Sequence, residues 1–220
     1  MRHFEEQLEE LRKRLLEMSG LVESAVYRSV QALVEKDEDQ ARQVLKNESK
    51  INQMEIQIDE MATQLLALEQ PVASDLRFIT AATKINNDLE RMGDLAVNIA
   101  ERSLTLMREP LVKPLIDIPH MANLVESMVR KALDAFVGKD GALARSVLIS
   151  DDAVDGFRDA VVTELINFIQ KDPSTAQQCV ALLFVARDLE RIADHATNIA
   201  EDVLFVVEGV DVRHHAETRK

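Results

Sequence analysis

The sequence predicts an all-α protein built as two tandem, pseudo-symmetric three-helix bundles. Three observations carry that prediction: a helix-forming composition, apolar residues recurring at alternating steps of four and three, and a long segment that occurs twice. The 220 residues include no Trp, one Tyr, six Gly and five Pro. Ala, Leu, Glu, Arg, Gln and Met dominate, and these side chains lose little freedom on entering a helix. With 46% hydrophobic residues, the chain is long enough to bury a substantial core.

The apolar steps define six helices. Phe4, Leu8, Leu11, Leu15, Met18, Val22 and Ala25 mark the first. Val44, Ile51, Met54, Ile58, Met61, Leu65 and Leu68 mark the second, with Asn47 filling one step. The third carries Ile85, Leu89, Met92, Ala96, Ile99, Ser103 and Leu106. Met121, Val125, Met128, Ala132 and Ala135 open the fourth, and Val147, Val154, Phe157, Val161, Leu165 and Phe168 line the fifth. The sixth runs through Leu182, Val185, Leu189, Ile192, Ala196, Ile199, Val203 and Val206. Stripes of this period suit long helices packed at shallow angles.

The breaks are equally legible. Lys36-Asp37-Glu38-Asp39 separates the first two helices. Gln70-Pro71 ends the second, because a residue before proline avoids the α region. Pro110, Pro114 and Pro119 crowd a linker, Gly138-Lys139-Asp140-Gly141 turns the fourth helix into the fifth, and Asp172-Pro173-Ser174 turns the fifth into the sixth. The expected organisation is a first bundle over 1–108, a linker over 109–117, a second bundle over 118–208 and a flexible tail over 209–220. In that tail, His214 and His215 read as solvated residues.

The segment beginning Asp88-Leu89-Glu90-Arg91 and ending at Glu101 returns one hundred residues later as Asp188 to Glu201, with ten of fourteen positions identical. Shared helical composition does not produce that identity; duplication of a helical unit does.

The formal net charge of −13 sets an unfavourable average field for nucleic acid and for an anionic membrane surface. Neither is an expected partner. One cysteine, Cys179, excludes an intrachain disulfide and fits a reducing compartment. The opening residues hold no apolar signal region and no segment approaches a membrane span, so a cytoplasmic location is expected.

Within the repeated segment, Glu90, Asp94, Asn98 and Glu101 fall within an arc of about 80° on one helix face, as do Glu190, Asp194, Asn198 and Glu201. One such row is ordinarily a solvated face. The hairpins add a second row. Glu48 and Asn52 stand as far before Pro71 as Asp94 and Glu90 stand after it, and Asp151 and Asp155 mirror Asp194 and Glu190 about the Asp172-Pro173 turn. Each hairpin is therefore expected to bring acids level on adjacent helices. Like charges that close destabilise the bundle unless cations or water intervene. The candidate metal ligands are Asp151, Asp155, Glu190, Asp194, Glu90, Asp94 and Glu48, the first-half group being weaker because Asn52 stands where the second half has Asp155. Oxygen-only donors suit magnesium, calcium, manganese or iron, and zinc less well. The bland alternative is a hydrated acidic face, or one that docks a basic partner. His195 reads as a surface histidine.

Gln70-Pro71-Val72-Ala73-Ser74-Asp75-Leu76-Arg77, followed by Asp88-Leu89-Glu90-Arg91-Met92-Gly93-Asp94, resembles the signature of the PhoU family, as do the opening Met1-Arg2-His3-Phe4 and the second Asp188-Leu189-Glu190-Arg191 block. The match spans essentially the whole chain. The resemblance implies two pseudo-symmetric bundles and negative regulation of phosphate uptake and the phosphate-starvation response. Members are thought to link the phosphate ABC transporter, through its ATPase subunit PstB, to the sensor histidine kinase PhoR. Some carry iron or zinc clusters on acidic motifs, which here fall on Asp151/Asp155, Glu190/Asp194 and Glu90/Asp94, with Glu48/Asn52 an imperfect match. Members often form homodimers. The resemblance also implies a family contact for Arg77, whereas charge alone gives it an ion pair with an acid on an adjacent helix; the ion pair is preferred, for Lys84 and Arg91 as well.

No enzyme is expected. The sequence has no glycine-rich phosphate loop and suggests no nucleophile with its base. A di-iron oxidase wants Glu-x-x-His, but Gly93 and Ala193 stand three residues after Glu90 and Glu190. A metal-free helical adaptor is the remaining alternative.

Overall fold

The computed structural model describes residues 2–71, 73–108, 112, 115, 117–209 and 212, and among them every regular element is helical. The helices are α1 (Arg2–Glu35), α2 (Glu38–Glu69), α3 (Ala73–Leu106), α4 (Asp117–Gly138), α5 (Gly141–Lys171) and α6 (Ala176–Glu208), with one 3₁₀ turn at Pro173–Thr175. α1, α2 and α3 pack on one another, as do α4, α5 and α6, and the two sets meet through α3 against α6 and α1 against α4.

Local chemistry explains the hairpins. Asp37 caps α2, its carboxylate accepting the backbone N–H groups of Asp39 at 2.9 Å and Gln40 at 3.2 Å. Asp140 caps α5 in the same way, accepting from the Leu143 N–H at 3.0 Å. The Asp172 carboxylate accepts the N–H and hydroxyl of Ser174 at 3.0 and 2.6 Å, which fixes the turn into α6. Gln70 does not take the extended conformation expected before proline: it ends α2 in the left-handed region, at φ 47°. In the turn with two glycines, Lys139 is the residue with positive φ, at 51°. Gly209 caps α6 at φ 72°, where a Cβ would be strained, and donates its N–H to the Phe205 carbonyl.

The linker and tail depart from expectation in detail. Pro110, Pro114, His214 and His215 lie outside the described residues, but Pro119 sits in the first turn of α4, where a proline costs no hydrogen bond. Val212 packs against the core, so this part of the tail is not free.

The expected stripes are the core. Every apolar position named for α3 and α4 is buried, and all those of α6 except half-buried Val206. In α2, Met61 is half-buried and Leu68, in the last turn, is 76% exposed.

The interface between the halves has its own logic. Lys84 of α3 pairs with Asp202 of α6 at 2.9 Å, Asp88 accepts from Asn198 at 3.3 Å, and Arg102 pairs with Asp188. As α3 advances, its partners in α6 recede, so the two helices run antiparallel. The repeated segments thus face each other across a pseudo-twofold axis, which places Asp88 and Asp188 in corresponding positions on opposite sides of the seam.

Asp188 is buried at 4% exposure, and that burial raises its pKa despite the opposing pull of Arg102. The carboxylate is retained because the guanidinium satisfies it. Removing the partner leaves an uncompensated buried group. We therefore expect Arg102→Ala to destabilise the fold by about 2 kcal/mol or more in urea unfolding. Arg102→Ala with Asp188→Asn should recover part of that loss. A single variant as stable as the wild type would show that the pair does not join the halves.

Candidate functional site

In the second half, α5 supplies Asp151 and Asp155, and α6 supplies Glu190 and Asp194. Val154, Val161 and Leu165 of α5 are drawn into the core, which leaves the two aspartates on the flank beside α6. The four carboxylates share one field. Asp194 is pushed up to about 6, first by burial and then by Glu190 and Asp151, with His195 opposing and Asp155 adding a smaller push. Although Asp194 as a residue is exposed, its carboxyl lies against the packed hairpin, so loss of solvent acts first and only in part. Asp151 is raised by burial, then by Asp155, Asp152 and Glu190.

One cation already serves this group. Arg158, one turn beyond Asp155, reaches Glu190 at 3.4 Å, Asp155 at 3.5 Å and Asp159 at 3.1 Å. It neutralises the end of the cluster nearer the turn. At the other end, neither Asp151 nor Asp194 has an ion pair among the described residues.

The first half is arranged differently. Glu90 is raised by burial and then by Asp94; Arg91 opposes and Glu55 adds to the rise. The α2 acid that acts on Glu90 is therefore Glu55, not Glu48 or Asn52, which are half-buried farther from the turn. Glu55 is itself raised by burial and by Asp59. Asn86 braces this side from beneath: fully buried, it donates to the Glu55 carbonyl at 2.9 Å and contacts Asp59 at 3.5 Å, while its own Oδ1 has no partner. Glu55 follows Asn52 by three residues, just as Arg158 follows Asp155. The mirrored hairpins thus put an acid in one half where the other has a base.

These geometries define how a metal fits. In the second hairpin the predicted acids of α5 and α6 lie close enough to perturb one another, yet among the described residues no group of three or more His, Cys, Asp or Glu is gathered as a coordination sphere. The donor set in the second half is partly engaged by Arg158, and in the first half Glu48 stands apart from the charges acting on Glu90.

Three further residues take roles that spacing did not assign. His195 is not a free surface histidine: its Nδ1 lies 2.7 Å from Asp88 Oδ1, and the pair joins α6 to α3. Lys84 does pair with an acid on an adjacent helix, whereas Arg91 contacts its own neighbour Glu90 at 3.6 Å. Among the described residues, Arg77 makes no ion pair and its buried Nε has no hydrogen-bond partner. The repeat could have flagged the first of these, since His195 replaces Leu95 at the matching position.

The Asp194 carboxyl generates a pH prediction. Its folded pKa of about 6 lies above the ordinary range near 3.9. The fold therefore favours its protonated form, and the contribution to stability is complete below pH ~4 and lost as pH rises through ~6. In metal-free buffer, Asp194→Asn should raise stability at pH 7 by about 0.5–1 kcal/mol, a figure reduced for solvent screening, and leave it unchanged near pH 4. Thermal melts at the two pH values check this, and an equal effect at both would exclude a cost that comes from burying and crowding the ionised carboxyl.

Comparison with known proteins places this architecture. The family model described as PhoU domain matches the chain twice, over residues 15–103 and 118–203. Among curated relatives, the Phosphate-specific transport system accessory protein PhoU homolog of Pseudomonas putida is 43% identical over 212 residues, covering 96% of this chain and 83% of the relative. The protein of the same name from Pseudomonas aeruginosa is 42% identical, covering 98% and 90%. The crystal structure of PhoU from Pseudomonas aeruginosa superposes with a TM-score of 0.92 at 41% identity, covering 94% of this chain and all of that one. That of the phosphate transport system regulatory protein PhoU from Streptococcus pneumoniae gives 0.87 at 31%, covering 95% and 99%. With the family model matching both halves and relatives of this similarity along nearly the full length, the chain belongs to the PhoU family.

Proposed function

We propose that this chain is a cytoplasmic accessory regulator of phosphate uptake. In this reading it holds down the phosphate-starvation response by linking a phosphate ABC transporter, through a PstB-like ATPase subunit, to a PhoR-like sensor histidine kinase. The observation that carries the reading is the full-length similarity to proteins named as accessory to phosphate-specific transport. It agrees with a chain in which, among the described residues, no helix is long and apolar enough to cross a membrane.

The regulator acts by contact, with no reaction of its own. A helical body of fixed shape shifts a partner between two conformations only by binding one of them better. Phosphate sufficiency would reach it through the conformation of the transporter, and the kinase would be held in its inhibitory state by the same body. A strain lacking this chain should express phosphate-starvation genes in phosphate-rich medium, measured with a promoter reporter. A deletion strain that still represses them there would remove the proposal.

The acidic hairpins support an auxiliary role as cation sites for iron, zinc or another divalent ion, held by Asp151, Asp155, Glu190 and Asp194 and by Glu90 and Asp94. The juxtaposed carboxylates favour it; Arg158 favours the rival reading of a metal-free adaptor. Elemental analysis of untagged protein purified without chelator should find divalent metal, and Asp155→Ala with Glu190→Ala should reduce it. Unchanged metal content in that variant would favour the metal-free adaptor. A homodimer, as in other family members, is compatible with both readings.

A further inference from the structure

Positions 180, 184, 187 and 191 recur at helical spacing on the outer face of α6, and they carry Val180, Phe184, Arg187 and Arg191. Val180 is 43% exposed and Phe184 41%. A trough of about 500 Å³ lies on one side of this row, against α5, where Arg158 and Val162 complete it. A second, of about 440 Å³, lies on the other side against the end of α3, where Arg102 and Arg108 complete it. Val180 and Phe184 line both, so they form the ridge between them. The Arg102 guanidinium stands 5.0 Å from the centre of the Phe184 ring and steadies the ridge from one side. Arg187 and Arg191 make no ion pair among the described residues.

This surface inverts the character of the chain. The whole carries a net charge of −13, yet five arginines and one acid, Glu190, surround two exposed apolar side chains here; Arg102 and Arg158 are paired with acids, which leaves Arg187 and Arg191 to set the sign of the face. The pseudo-twofold supplies an internal control. The matching positions of α3 are Thr80, Lys84, Asn87 and Arg91, with Lys84 tied to Asp202. The scaffold therefore folds with polar residues at the matching sites of the other half, and does not require valine and phenylalanine there. An exposed aromatic side chain flanked by arginines that make no ion pair has the composition of an interaction surface.

We propose that this grooved face of α6 docks an acidic amphipathic helix of a partner protein, its apolar residues over Val180 and Phe184 and its carboxylates on Arg187 and Arg191. From Gln177 to Arg191 the face is about 21 Å long at 1.5 Å per residue, a length that one four-turn helix covers. Charge complementarity selects an acidic occupant, while the negative field of the remaining surface opposes an anionic bilayer. The identity of the probes in the test rests on the regulator reading above.

Binding of the purified transporter ATPase subunit and of the kinase cytoplasmic region from the same organism would be measured by biolayer interferometry at low and high salt. One of them should bind the wild type, more weakly as salt rises. Arg187→Glu with Arg191→Glu should weaken that binding by about tenfold or more, and Phe184→Ser should weaken it without the salt dependence changing. Thr80→Glu with Asn87→Glu, on the matching face of α3, should leave it intact. Circular dichroism confirms that each variant is folded. Unchanged binding in both α6 variants, or equal loss in the α3 control, would overturn the groove while leaving the regulator reading standing. So would loss of binding to phosphatidylglycerol vesicles, or of a dimer in analytical ultracentrifugation, as the only effect of the α6 variants. A wild type that binds neither protein would sink the regulator reading and this one together.

Discussion

Antiparallel packing of α3 on α6 is the constraint from which the rest of the molecule follows. Each of these helices already belongs to a bundle of its own, so each must bury two faces: one toward its own hairpin and one toward its counterpart. That requirement accounts for the density of small and apolar residues in the repeated segments, such as Ala96, Ala100, Ala196 and Ala200, all fully buried. It also accounts for the charged residues at the seam. A carboxylate such as Asp188 can remain there because a base from the opposite helix meets it. Asp88 meets His195 and Asn198 instead. The same position in two copies of one segment is satisfied by different chemistry, which is how duplication leads to divergence without loss of fit.

Much of this was legible in the sequence, and the boundary of legibility is physical. Apolar period identifies the buried stripe of a single helix, and it found the core in Leu89, Ile99, Leu189 and Ile199 without error. It overreached at Leu68, since period says nothing of how far along a helix its stripe stays covered. Hairpin symmetry correctly anticipated that acids of α5 and α6 would act on one another, Glu190 on Asp151 and both α5 aspartates on Asp194, because a short turn fixes the register of two long rods. It did not anticipate Glu55. Counting back from Pro71 puts Asn52 opposite Glu90, but a side chain on a helix leans toward its N-terminus. Thus a longer acid, one turn nearer the hairpin bend, is the one that reaches. Pairings between the halves were invisible for a different reason. Lys84 with Asp202 and Arg102 with Asp188 depend on how two bundles dock, and no spacing within a helix encodes that.

The exchange of Glu55 for Arg158 has consequences beyond its own site. In the first half it leaves Glu90, Asp94 and Glu55 to repel one another, with only Arg91 opposing on Glu90. In the second half Arg158 satisfies one end of the acidic group and also lines the groove beside Phe184. One side chain therefore separates two surfaces of opposite sign that would otherwise merge along α5 and α6. If cations bind the second acidic group, they compete with Arg158 for the same oxygens, and the arginine they release would be free to add positive charge to the groove.

A link between acid occupancy and groove charge gives the regulator reading a physical form. A rigid bundle has few ways to change shape, because its core is close-packed and its helices are long. What it can change at low energetic cost is the distribution of charge on faces that share a residue. Arg158 is such a residue: it contacts the acids of both α5 and α6 and lines a trough whose opposite rim is Arg187 and Arg191. A body that must distinguish two states of a partner needs differential contact, not motion of its own. In the proposed regulator, two adjoining faces of opposite charge that share one guanidinium would supply that contact without moving a helix.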